Sequence, residues 1–310
     1  MILIVNLNLA VDEIVHLDGL TPGEVHRTYM VERLAGGKGV NVARVLKVLK
    51  EPALLTGFLG GRAGDFIGRE LKKEGLSFSS VAIQNESRTC IILNDTASRA
   101  QTVINEAGPD VSEEEQSAFL EHYTQLLPGA RVVIITGSLP PRMPQDFYAR
   151  MIRTANETGK PVLLDTSSEA LRRGIAARPF FVKVNGAEAV GALQGIQING
   201  LDEASQAARG LIRAGACHAM ITLGETGAAL NFEGADYLIK PPRIEAGNTV
   251  GSGDAVMAGV AAALVRGHDA EEMARLAMAA GAANALRGAG RCREEEIKSL
   301  AREVKVLGVN

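Results

Sequence analysis

Asp254 is the residue best placed to do chemistry. It follows the glycine turn Gly251-Ser252-Gly253 and opens an apolar run, Ala255-Val-Met-Ala-Gly259. Amide N–H groups at a helix start have no intrahelical acceptor, and the helix dipole adds partial positive charge there. Such a turn suits a phosphate, or the charge that develops on a phosphoryl group in transfer. A carboxylate inside an anion site repels the ligand unless it has a task. The task that fits is taking a proton from a hydroxyl that attacks the phosphate. The plainer alternative is that Asp254 caps its helix.

Other segments carry chemistry of the same kind, each with a bland alternative. In Ala35-Gly-Gly-Lys-Gly-Val-Asn-Val-Ala-Arg44, Gly36 and Gly37 let backbone approach a ligand, Lys38 supplies a point charge, and Asn41 lies one turn into a helix. It lacks the Lys-Ser/Thr pair of a Walker A loop and is otherwise a tight turn with a surface lysine. Asn6-Leu-Asn-Leu-Ala-Val-Asp12 ends a strand, so Asp12 either accepts from sugar hydroxyls or organises a turn. Thr136-Gly-Ser138 offers a hydroxyl and amides in the same way. Asn185-Gly-Ala-Glu188 either caps a helix or holds hydrated Mg²⁺ with a polyphosphate through waters. Thr222-Leu-Gly-Glu-Thr-Gly-Ala228 is a nucleotide-facing glycine turn or a hairpin. Arg27, Arg88 and Lys38 converging on one pocket would bind a phosphate dianion; apart, they are ordinary solvated charges. Gly57–Asp65 has the wrong spacing for a dinucleotide motif and reads as turn punctuation.

Alternating elements must hold these segments. Ile2–Asn6, Ala53–Phe58, Val132–Thr136, Pro161–Asp165, Phe180–Val184 and Ala219–Leu223 are nearly continuous apolar runs, as strands covered on both faces are. Helical patterns fall at Gly39–Lys50, Asp65–Glu74, Glu113–Leu127, Gln145–Thr158 and Glu203–Ala214, with capping boxes at Ser112 and Asp269. The alternation predicts a three-layer α/β/α fold with a mostly parallel sheet. Segments 12–34 and 81–104 break the rhythm with β-prone residues, including Val25–Val31 and Arg88–Leu93. They predict a small antiparallel lid inserted into an α/β domain made of 1–11, 35–80 and 105–310. A partner subunit could cover its exposed face. After Lys240 only helices are expected, near Asp254–Arg266, Ala270–Leu286 and Glu294–Val304.

Composition narrows the classes. A net charge of −3 gives no reason to expect nucleic acid or an anionic membrane as partner. No apolar run is long enough to span a bilayer, and Met1-Ile-Leu-Ile-Val-Asn-Leu lacks a secretory pattern. Cys90, Cys217 and Cys292 are scattered and odd in number, which favours reduced thiols and a cytoplasmic protein. No histidine spacing suits a transition metal.

Taken together and in this order, the segments resemble the ribokinase/PfkB family of carbohydrate kinases across essentially the whole chain. Ala35–Ala43 is similar to its first signature and Asn248–Gly259 to its second. The Asn6–Asp12 opening, the Arg88-Thr-Cys90-Ile91 strand, Gly137–Pro140 and Asn185–Glu188 resemble the hexose-phosphate branch, with the fructose-1-phosphate and tagatose-6-phosphate kinases. The resemblance implies a ribokinase-like fold and use of ATP, Mg²⁺ and a phosphosugar. It implies Asp254 as base, with Gly251, Ser252 and Gly253 as the anion hole. Asp12, Gly36, Gly37 and Asn41 would hold sugar hydroxyls, and Arg27, Lys38, Arg88 and Ser138 the sugar's phosphate. Lys183, Asn185 and Glu188 would face ATP phosphates and Mg²⁺. Thr222, Gly224 and Gly227 would line the nucleotide, with Asn284 near the adenine. Some relatives bind K⁺ near the positions of Val250 and the segment after Asn284.

Leu9, Val184 and Thr249 depart from frequent proline, proline and serine in that family without removing a charged group. Cys90 stands where many relatives carry asparagine, which alters one sugar contact. The expected reaction is ATP-dependent phosphorylation of a ketohexose monophosphate, fructose 1-phosphate first. Tagatose 6-phosphate and fructose 6-phosphate are the nearest alternatives. A kinase of neutral sugars or nucleosides would leave Arg27 and Arg88 without a partner, and aromatics are only 4%, few for nucleoside stacking. A non-catalytic sugar-phosphate-binding regulator would have no use for Asp254. A homodimer through the lid is the expected assembly.

Overall fold

The computed structural model describes residues 1–98 and 100–309. The central nine-stranded sheet has a parallel body: β1 (Ile2–Val5), β4 (Ala53–Thr56), β9 (Val132–Thr136), β10 (Val162–Asp165), β11 (Phe181–Asn185) and β12 (His218–Thr222). Their spatial order is β4-β1-β9-β10-β11-β12. The antiparallel strands β13 (Ala228–Phe232), β14 (Ala235–Lys240) and β15 (Lys305–Val309) extend the sheet beyond β12.

The apolar runs alternate between two cores. Ile2 and Ile4 of β1 face one cluster, shared with α1 (Lys38–Val48), α2 (Gly61–Lys73), α8 (Ser252–Arg266), α9 (Ala270–Ala285) and α10 (Glu294–Ala301). Leu3 and Val5 face the other, with α3 (Glu113–Leu126), α4 (Phe147–Glu157), α5 (Ser168–Ala176), α6 (Gly186–Ala192) and α7 (Leu201–Arg213). That is the predicted three-layer sandwich, and it explains why the parallel strands read as continuously apolar. α8 and α9 pack closely through small residues: a Cβ on Gly259 would lie 2.5 Å from the Ala277 Cα.

The small second sheet has the order β3-β2-β7-β8, with β2 (Ala10–Leu17), β3 (Val31–Gly36), β7 (Arg88–Asp95) and β8 (Gln101–Asn105). Its outer pairs are antiparallel; its central pair, β2 with β7, runs parallel. β5 (Phe58–Gly60) and β6 (Val81–Ile83) form a separate parallel pair, so Val81–Ile83 lies outside the lid sheet.

Two expectations are corrected. Val25–Val31 is not a strand: only Val31 joins β3. Beyond the last hairpin bond, His16 N–H to Met30 O, the Thr28 hydroxyl takes the His16 carbonyl and the ladder stops. Strands also do not end at Lys240. β15 pairs residue by residue with β14, from Asp236 with Val309 to Lys240 with Lys305. This edge strand is largely exposed and is held by backbone pairing, so no apolar alternation marked it.

Candidate active site

Strand ends converge where the sheet order reverses between β1 and its two neighbours, the usual ligand position in an open α/β sheet. A cavity of about 740 Å³ opens there, roofed by the cavity-facing side of the lid sheet. At its floor the Asn6 carboxamide, just past β1, accepts from the Gly39 N–H at 2.9 Å and pins the start of α1. Gly37 precedes that helix with φ 110°, and a Cβ there would meet Asn6 Oδ1 at 2.7 Å, so only glycine fits.

The lid side of the cavity carries Arg88. Its guanidinium donates to Asn8 O and to Glu106 O, each at 3.1 Å, while Asn8 Nδ2 donates to Ser138 Oγ at 3.1 Å. Arg88 and Ser138 are therefore joined through one residue, Asn8. Asp12 pairs across strands with Cys90, which pairs in turn with Asn105, and all three line the cavity. Burial pushes the Asp12 carboxyl up to about 6, against the pull of Arg44 and Arg88. Gly36 does not line the cavity. It lies against Asp12, whose Cγ would be 2.1 Å from a Cβ at that position.

Opposite the lid, Gly251 takes the left-handed conformation (φ 81°) and turns the chain into α8. Asp254 sits in the first turn of that helix, 5% exposed, and its Oδ2 accepts from Asn41 Nδ2 at 2.9 Å. Burial raises the affinity of Asp254 for a proton; Lys38 and Lys183 oppose this and Asp165 reinforces it. A buried carboxylate with heightened proton affinity beside two ammonium groups has the environment of a general base.

Asp165, not singled out by the sequence, joins this charged cluster. It ends β10, is fully buried, and lies 2.8 Å from Lys38 Nζ and 2.6 Å from Lys183 Nζ. Burial disfavours its charge, but Lys183 and Lys38 outweigh that and hold its carboxyl below the usual range. On Lys38, burial is likewise outweighed by Asp165, Asp254 and Glu188, so the ammonium is held firmly. The available signal was a carboxylate closing an apolar strand at the ligand edge of the sheet.

Asn185 and Glu188 line the same cavity and form a reciprocal cap on α6: Glu188 N–H to Asn185 Oδ1 at 2.9 Å, and Asn185 N–H to Glu188 Oε2 at 2.8 Å. The cap and the cavity position coexist. Glu188 Oε1 stands 3.6 Å from Lys38 Nζ. A second cavity of about 550 Å³ adjoins the first across Thr222, Thr249, Ser252 and Gly253. Its walls are more apolar, with Pro241, Pro242, Ile244 and Met278, and Gly224 lines it.

Besides Gly36, three expected positions fall elsewhere. Arg27 is exposed on the 18–30 segment and lines neither cavity. Gly227 is buried in the β12–β13 hairpin, where a Cβ would lie 2.1 Å from Ile239 O; its bareness serves chain packing. Asn284 is fully buried rather than beside the second cavity. Its Nδ2 donates to Val250 O and Ser252 Oγ, and its Oδ1 accepts from Gly290 N–H at 2.7 Å, so it braces the glycine turn from behind.

Comparison with known proteins agrees with this architecture. Residues 5–295 match the description "pfkB family carbohydrate kinase". The chain is 34% identical over 306 residues to a 1-phosphofructokinase of Bacillus subtilis (strain 168), covering 99% of each. It superposes on a possible 1-phosphofructokinase from Thermotoga maritima with a TM-score of 0.90 at 26% identity, covering 100% of this chain and 99% of that one. Against phosphofructokinase-2 from Escherichia coli in complex with fructose-6-phosphate, the TM-score is 0.88 at 25% identity, over 97% and 98% of the chains. With its two signature loops meeting at one buried aspartate, the chain belongs to the pfkB family of carbohydrate kinases.

Proposed function

We propose that the protein transfers the γ-phosphoryl group of ATP to the free primary hydroxyl of a ketohexose monophosphate, giving the bisphosphate and ADP, with fructose 1-phosphate as the preferred acceptor. The observation that carries this reading is the position of Asp254, which lines the first cavity directly after Ser252 and Gly253, two residues that border both cavities. On one side lie Asp12, Asn41 and Arg88, suited to a sugar and its existing phosphate; on the other lies an apolar pocket suited to a nucleobase. The names of the relatives, which concern phosphofructokinases, support the same acceptor class.

Asn41 orients Asp254, and Asp254 takes the hydroxyl proton as the oxygen attacks in line. Gly251 and Gly253 offer backbone amides to the charge on the moving group, and Ser252 holds the turn through its N–H to Thr249 O at 3.1 Å. Gly253 also leaves room for Lys183, whose Nζ would lie 2.9 Å from a Cβ there. Lys38 and Lys183 draw the phosphate tail inward, and closure of the lid sheet over the cavity excludes water that would hydrolyse ATP.

Among the described residues no group of three or more His, Cys, Asp or Glu could hold a metal ion. Mg²⁺ needs no such cage, since it keeps waters and phosphate oxygens as ligands. Glu188 and Asn185 at the cavity wall fit that mode, through water. When bound with ATP, Mg²⁺ supplies charge neutralisation at the phosphoryl oxygens. K⁺ is a poorer fit. The Val250 carbonyl itself accepts from Ala289 N–H at 3.0 Å and Asn284 Nδ2 at 2.9 Å, so other carbonyls of that loop would have to supply ligands.

A second copy of the chain is the expected partner, covering the exposed residues Ile104, Tyr29 and Met30 of the lid segments. The cytoplasm suits three free cysteines, and no described helix is long and apolar enough to cross a membrane. The test is ADP release with fructose 1-phosphate, fructose 6-phosphate, tagatose 6-phosphate and unphosphorylated fructose. The highest kcat/KM is expected on fructose 1-phosphate, and equal rates on free fructose would refute the phosphosugar assignment.

A further inference from the structure

Arg44 lies behind the cavity, 8% exposed, and lines neither the sugar side nor the nucleotide side. Its guanidinium uses both faces of its fork. Nε and Nη2 donate to the two oxygens of Glu74, each at 2.7 Å, in a bidentate pair. Nη2 also donates to Ala35 O at 2.7 Å, where the first glycine loop begins. Nη1 donates to Ala289 O at 3.2 Å and to Asn41 Oδ1 at 3.3 Å. The Ala289 N–H in turn holds Val250 O, immediately before the glycine turn of the anion hole. One buried cation thus ties together the two loops that carry the site.

The contact to Asn41 has a specific consequence. A carboxamide has one donor end and one acceptor end. With Oδ1 facing the guanidinium, Nδ2 must face Asp254, and it does so at 2.9 Å. Were the amide reversed, its oxygen would face the carboxylate and its NH₂ would face a cation, two repulsive contacts in a buried site. Lys38, Lys183 and Asp165 also face Asp254, but none of them constrains which end of Asn41 it meets.

We infer that Arg44 is a positioning residue for the phosphoryl transfer: clamped by Glu74, it fixes the orientation of Asn41 and, through it, the aim of the Asp254 carboxylate. The inference rests on Asp254 acting as the base. Lysine cannot replace arginine here, because a point charge cannot serve Glu74, Ala35, Ala289 and Asn41 at once.

The test combines kinetics with a crystal structure. Arg44→Lys should lower kcat by about 10–100-fold, the cost of slight misalignment at a reacting group, while KM for ATP is unchanged. In an Asn41→Ala background the same substitution should cost little more, since residues acting through one contact are not additive. Glu74→Gln, which keeps Arg44 and loosens its clamp, should show a smaller loss with the same dependence on Asn41; it serves should Arg44→Lys not fold. The crystal structure of Arg44→Lys should show Asn41 rotated off Asp254. Equal losses in both backgrounds, or an Asn41–Asp254 contact unchanged in that crystal structure, would overturn the inference. Failure of the kinase reading is distinguishable, since the unmutated protein would then turn over no phosphosugar while the crystal structure still reports on Asn41.

Discussion

Replacing Asp254 by asparagine isolates the proposed base. The substitution keeps size and shape, and the new carboxamide oxygen can still accept from Asn41 Nδ2, which now meets Asp254 Oδ2 at 2.9 Å. What disappears is the capacity to take a proton. General-base catalysis is worth about 10²–10⁴-fold, or roughly 3–5 kcal/mol of barrier. Substrate binding should survive, because Arg88, Asp12 and Lys38 are untouched. Losing the carboxylate also relieves like-charge repulsion of ATP, so KM for ATP should not rise. Folding should not suffer, since burial already disfavours the Asp254 charge and the amide has none. The assay is coupled ADP release under saturating fructose 1-phosphate, with the melting temperature measured alongside. Turnover near that of the unmutated protein would remove Asp254 from the chemistry. A large rise in KM with kcat intact would make it a binding group instead.

Arg88→Ala removes the guanidinium on the lid side of the sugar cavity. One to two charge-assisted bonds, each about 1.5–3 kcal/mol, imply at least a tenfold loss of kcat/KM on phosphosugars; an equal loss on free fructose would show that Arg88 serves the lid rather than the phosphate. Asp12, raised from 3.8 to about 6, binds its proton more tightly folded than unfolded. Its contribution to stability is therefore fully present below pH 3.8 and lost as pH rises to about 6. Asp12→Asn should flatten that part of the stability–pH curve, and an unchanged slope in urea melts across the window would contradict the assignment. Gly259→Ala forces a methyl group into the Ala277 backbone, 2.5 Å away, and should destabilise by about 1–3 kcal/mol; a melting temperature as high as that of the unmutated protein would show that α8 and α9 separate freely.

Much of the site was legible because its chemistry is carried by short, local segments. Each parallel strand ends where an apolar run meets a polar residue, so Asn6, Thr136 and Asn185 marked the ligand edge before any geometry was known. Helix ends shifted by one to four residues, most at α2, which begins at Gly61 inside the stretch read as turn punctuation rather than at Asp65. What stayed hidden depends on partners distant in the chain. Asp165 resembled any strand terminus until Lys38 and Lys183 closed around it. Arg44 looked like one more basic residue on a helix, and only the fold sets it against Ala289, far along the chain. Asn284 was expected beside the nucleotide, yet its carboxamide is spent on the backbone of the anion-hole loop. Arg27 was grouped with Arg88 because both lie in the predicted lid segments, but only Arg88 sits on a strand that faces the cavity. β15 left no periodic trace because it pairs through its backbone at an open edge.

The most direct test is a crystal structure with fructose 1-phosphate and a non-hydrolysable ATP analogue bound together. The account predicts the sugar's free primary hydroxyl within about 3.2 Å of an Asp254 carboxylate oxygen, the γ-phosphate against the Gly253 amide, and the sugar phosphate on Arg88. A phosphosugar bound with that hydroxyl turned away from Asp254, or a nucleotide lying outside the pocket of Pro241 and Met278, would contradict it.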